Sequence, residues 1–87
     1  MLTMTQAAAG YLSDVLERAN VSPETAVRLV VEADGLTPAL DTARPGDTTF
    51  DHAGRKVLLL DAFTSDVLAD RTLDIQSTDE GPRLSVS

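Results

Sequence analysis

Hydrophobic periodicity along this chain predicts an α+β domain, with one amphipathic helix first, strands after it, and a second, shorter helix before two closing strands. Three observations carry that prediction. Ala8, Leu12, Val15, Leu16 and Ala19 recur at the spacing of one helical face, while Gln6, Ser13, Asp14, Glu17 and Arg18 occupy the remainder. Residues 26–33 alternate instead, with Val27, Leu29, Val31 and Ala33 on one side and Arg28 and Glu32 on the other, which predicts a strand with one solvated face. Residues 57–60 are apolar throughout, the pattern of a strand covered on both faces.

The elements follow in order. Thr3 or Thr5 supplies a hydroxyl to cap the first helix, which runs to about Ala19. Asp14 and Arg18 stand four apart in the favourable order and read as a surface pair. Asn20-Val21-Ser22 has the form of a glycosylation sequon, but it reads better as a helix end entering a turn, and Ser22-Pro23-Glu24 breaks the chain. Gly35 and Pro38 interrupt the strand at residues 26–33, so a loop is expected at residues 35–38 and a second short strand at residues 39–43. Arg44-Pro45-Gly46-Asp47 marks a turn. Residues 48–50 and 56–60 flank Asp51-His52-Ala53-Gly54, a hairpin whose glycine suits a positive backbone dihedral. Asp61 or Thr64 starts the short helix, in which Phe63, Val67 and Leu68 keep helical spacing. Residues 72–76 and 83–86 close the chain as strands around the turn at residues 78–82. Val27, Leu29, Val31, Val57, Leu59 and Leu73 are expected to share a core with Leu12 and Leu16.

Composition narrows the function classes more than any motif does. Hydrophobic residues are 43% of the 87, enough for a core and unlike a disordered segment. One domain spanning residues 1–87 is the expectation. No cysteine is present and His52 is the sole histidine, which removes disulfides, thiolate nucleophiles and cysteine-based metal sites. Fourteen acids against seven scattered bases give a net charge of −7, which repels phosphate backbones and anionic lipid surfaces, so neither nucleic acid nor membrane is an expected partner. Residues 1–9 lack the pattern of a secretory signal and no apolar run approaches the length of a membrane span, so the chain reads as cytoplasmic.

The order of elements, with these residues, resembles the HesB-like family of A-type iron-sulfur cluster carriers. The likeness rests on Leu2-Thr3-Met4-Thr5-Gln6-Ala7-Ala8 at the opening helix and Val27-Arg28-Leu29-Val30-Val31 in an arginine-bearing strand. It continues through residues 45–61, where Phe50, the acidic turn and Gly54 precede the apolar strand, and through residues 68–75. The resemblance implies a small α+β domain, a mixed β-sandwich or half-barrel with an N-terminal helix and a second short helix. The family's cluster ligands are cysteines. The first follows a glycine after the arginine-bearing strand, where this chain has Leu36 after Gly35, and the other two lie in a C-terminal segment beyond Ser87. Clusters require soft thiolate ligands, so no cofactor is expected here.

The remaining candidates read as structural. His52 sits in a polar turn beside one carboxylate, too few ligands for a tight metal site. Asp41, Asp47 and Asp51 lack the spacing of a calcium loop and read as turn and strand-end residues. Ser13 and Ser65 have no neighbouring base to activate them, so enzymatic activity is not expected. Two functional readings stand. The first is a non-catalytic interaction or scaffold module that keeps the fold without the metal site. The second is an iron-sulfur assembly factor acting through protein contacts or ligands borrowed from a partner. In either, a protein partner or a second copy would meet Gly35 and Leu36 in their loop, or Leu84 and Val86 on the last strand.

Overall fold

The computed structural model describes residues 2–33 and 35–87, so Met1 and Asp34 fall outside the account. The order is β1 (Thr3–Met4), α1 (Gln6–Ala19), β2 (Thr25–Glu32), β3 (Gly35–Thr42), β4 (Thr48–His52), β5 (Arg55–Leu60), α2 (Ala62–Val67), β6 (Thr72–Thr78) and β7 (Gly81–Val86). The strands form two mixed sheets, one of three strands in the order β1-β6-β7 and one of four in the order β3-β2-β5-β4. The α+β class and both helices stand as the sequence predicts them.

Local chemistry sets the helix ends. Thr5 caps α1, its hydroxyl accepting from the Ala8 amide at 3.1 Å and donating to Asp74 Oδ1 at 2.9 Å, so the cap also ties the helix to β6. Asn20 closes α1 in the left-handed conformation, which its short polar side chain tolerates, and the would-be sequon is that helix end. Ala8, Ala9, Leu12 and Leu16 are buried, whereas Ala19, expected on the packed face, is exposed on the last turn. Asp14 and Arg18 meet at 2.9 Å on the surface. Asp61 caps α2, and that helix buries Thr64 rather than Phe63 and Val67, which are 66% and 46% exposed. Six residues give too little helix for helical spacing to choose a face, and the cap sets it: the Asp61 carboxylate accepts from the Thr64 amide at 2.7 Å, with Thr64 turned inward.

The sheets depart from expectation at three places. The stretch at residues 35–38 is not a loop but the start of β3, which pairs antiparallel with β2 over eight positions, Leu36 opposite Val31 and Pro38 opposite Leu29. Pro38 is tolerated because β3 is an edge strand and owes hydrogen bonds to one neighbour alone, while Gly35 takes a φ of 131° that a side chain would resist. Second, the two residues of β1 pair parallel with β6, Thr3 beside Thr72. So short a strand leaves no periodicity to read. Third, the register between β4 and β5 slips by a bulge at Phe50/Asp51, leaving Val57 without an opposite residue.

That bulge explains how the apolar run of β5 is spent. Val57, Leu58 and Leu60 join Leu2, Ala8, Leu12, Leu16, Val27, Leu29, Leu68 and Leu73 in the main core. Leu59 is fully buried too but lies outside that cluster, in register with Arg28 and Thr49 on the opposite face. The strand is therefore covered on both faces. Val31, near the turn end of the β2–β3 hairpin, is half-buried and no member of the core.

Candidate functional site

Two places on the molecule concentrate side-chain chemistry. The first is a cleft of about 440 Å³ walled by α1, β2, β3, β6 and β7. Leu36, Leu84 and Val86 all line it, although 48 residues separate Leu36 from Leu84 in sequence; Gly35 opens β3 next to Leu36 but is not part of the wall. Three of the four residues singled out for interaction thus converge on one concavity, because β3 and β7 are the outer strands of their respective sheets. Tyr11, Pro38 and Arg83 are also among its lining residues. Periodicity could not reveal them, since each belongs to a different element and the cleft exists only once two sheets and a helix are assembled.

The second place is a buried charge cluster around Arg28. Alternation put Arg28 on a solvated face, yet its side chain is 8% exposed and that of Asp47 is 5% exposed. A guanidinium leaves water only when its donors are met. Arg28 Nε donates to Asp41 Oδ2 at 2.8 Å, Nη1 to Asp47 Oδ1 at 3.1 Å, and Nη2 to Asp47 Oδ2 at 2.6 Å and to the Thr42 carbonyl at 3.3 Å. The fork grips Asp47 through both oxygens. Asp47 Oδ2 also accepts from the Arg44 amide at 2.7 Å, and Arg44 reaches Asp41 at 2.9 Å. The Arg28 fork, then the Arg44 amide, holds the Asp47 carboxyl below the usual carboxylate range, and the Thr42 amide followed by Arg28 does the same for Asp41. Asp41 and Asp47 do gather around a cation, but the cation is a side chain of the protein.

Such a cluster fixes the β3–β4 connection and offers no open coordination position. Asp51 is not part of it, standing opposite Lys56 in the β4–β5 hairpin. Among the described residues no three His, Asp or Glu side chains are arranged to hold a metal ion. His52 is half-buried at the end of β4, opposite Arg55. Among the described residues the Ser65 hydroxyl meets that of Thr48, at 3.4 Å, and hydrogen-bonds to no histidine or lysine. None of the described helices is long and apolar enough to cross a membrane.

No protein-family model and no curated protein matches the chain. Solved structures do match it in fold. SufA of Escherichia coli, a protein involved in the biosynthesis of iron-sulfur clusters, superposes with a TM-score of 0.72 at 22% identity, over 99% of this chain and 83% of SufA. IscA, in a structure holding a [2Fe-2S] cluster, gives 0.69 at 14% identity over 100% of this chain and 84% of IscA. A protein from Aquifex aeolicus gives 0.70 at 22% identity over 99% and 89%. The fold is therefore that of SufA and IscA, in a chain that contains no cysteine.

Proposed function

We propose that this chain is a single HesB-like domain that works in the cytoplasm as a non-catalytic interaction or scaffold module and holds no iron-sulfur cluster of its own. The observation that carries the reading is the replacement of ligand chemistry by apolar chemistry. Leu36 follows Gly35 where the resembled family places its first cysteine, it faces an apolar cleft together with Leu84 and Val86, and no thiol exists anywhere in the 87 residues. Leucine offers iron no lone pair, whereas an apolar wall beside two outer strands suits contact with another polypeptide. Gly35, Leu36, Leu84 and Val86 would form that contact.

Sedimentation equilibrium and a pull-down from the native cell test it together. Wild-type protein should either self-associate at micromolar concentration or retain a discrete partner, and both Leu36→Asp and Val86→Lys should weaken the association about tenfold or more, since each sets an unpaired charge in an apolar contact. A strict monomer whose pull-down profile neither substitution alters would refute the proposal. A second reading is favoured by the likeness to SufA and IscA: an assembly factor that contributes protein contacts, or lends its surface to a cluster whose ligands come from a partner. Recovery of cluster-assembly proteins as the retained partners would select that reading over a scaffold role elsewhere.

A further inference from the structure

The cleft that Leu36 and Leu84 line differs in chemistry from floor to rim. Leu12, Val27, Leu29 and Leu73 contribute to it and are among the most buried residues of the chain, so it reaches down to the main core. Leu36 and Leu84 are half-buried on its walls, and Arg83 stands exposed at its mouth. The volume, about 440 Å³, lies in the range of small-molecule sites. Acids outnumber bases two to one in this protein, yet no aspartate or glutamate lines the cleft, and Arg83 is its one charged residue. Among the described residues Arg83 has no ion-pair partner and its side chain makes no hydrogen bond, in contrast to Arg28, Arg44 and Arg18, each held by a carboxylate.

We infer that the cleft is a binding site for a small amphipathic carboxylic acid, its hydrocarbon body between Leu29, Leu36 and Leu84 and its carboxylate on the Arg83 guanidinium. Apolar walls reward a chain that removes them from water. A single guanidinium free to fork onto two oxygens selects a carboxylate head over an alcohol or an ammonium. Tyr11, half-buried, belongs to the same lining and adds a polar hydroxyl to an otherwise largely apolar wall. A slender ligand can reach the floor, which is core, whereas a protein partner would meet only the walls and rim. The inference goes beyond the interaction role proposed above, which stands or falls on sedimentation and pull-down without any added acid. It adds that occupancy would alter the surface presented by Leu36, Leu84 and Val86.

The protein carries its own reporter: Tyr11 is the sole tyrosine and there is no tryptophan, so tyrosine emission reads the cleft directly. Octanoate, octanol and octyltrimethylammonium are titrated below their aggregation limits, with amide shifts in an NMR titration locating the site. Octanoate should bind saturably and one to one, shifting the amides of Leu36, Leu84 and Val86, and along hexanoate, octanoate and decanoate affinity should rise about threefold to fourfold per methylene. Arg83→Gln, an exposed substitution compatible with folding, should weaken octanoate about tenfold and leave octanol unchanged. A tyrosine signal that never saturates into the millimolar range, octanoate binding untouched by Arg83→Gln, or equal affinity for the ammonium probe would each overturn the inference. So would a stable dimer that shields Tyr11 and excludes octanoate, which would assign the cleft to a second copy of the chain.

Discussion

Arg28 shows how much a single position can mislead when read alone. In sequence it alternates with Val27 and Leu29 and so belongs to water, and nothing nearby in the chain contradicts that. Its partners lie 13 and 19 residues away, on the far side of a strand whose length the sequence understated. Charge pairing at that distance is invisible to periodicity. The cluster makes a pH-dependent contribution whose sign follows from Asp47. Its folded-state pKa is depressed below the unfolded value near 4, so the stabilisation is complete above that value and is lost as pH falls through the folded one. Arg28 is raised far above physiological pH by the same pair and adds no slope in the acid range. Asp47→Asn should cost about 2 to 3 kcal/mol at neutral pH, less than a fully orphaned buried charge because Asp41 remains on the guanidinium. Urea denaturation of both proteins between pH 7 and pH 2 checks this: the curves should converge in acid, and a constant offset across the range would show that Asp47 contributes shape alone.

At the scale of elements, the sequence is legible wherever a residue pattern is long enough to repeat, and illegible where tertiary pairing supplies the order. The fourteen residues of α1 and the apolar run of β5 carry their own periods. The two-residue β1 exists only because β6 is there to receive it, and β3 extends through Gly35 and Pro38 only because an edge position forgives both. The split of β5 between two faces is likewise legible as burial but not as partnership. Alternation places Leu59 in one core with Val57, Leu73 and Leu12, but it lies instead on the side of Arg28 and Thr49. Its burial is nonetheless complete, so Leu59→Ala should cost about 2 to 5 kcal/mol through the cavity left behind. Chemical denaturation reading a loss below about 1 kcal/mol would mean that this face of the sheet is open to solvent.

Across the whole molecule, a fold shared with SufA and IscA is built by a chain without cysteine. The chain superposes over almost its full length on SufA and IscA at 22% and 14% identity, so the layered arrangement of two sheets and two helices is specified by patterning, caps and turns rather than by particular residues. The candidate site was legible in part: Leu36, Leu84 and Val86 could be marked from sequence, but their convergence on one cleft required the assembled sheets, and Tyr11 and Arg83 came into view only with it. The central claim is the proposal that a chain with this fold and no thiol holds no cluster of its own, and anaerobic reconstitution addresses it most directly. The 87-residue protein is incubated with ferrous iron and sulfide, desalted, and assayed for iron, sulfide and visible absorption. Iron and sulfide should remain at background with no charge-transfer band, because no thiolate is available to retain them. Stoichiometric iron and sulfide surviving the column, with a visible band, would contradict the account.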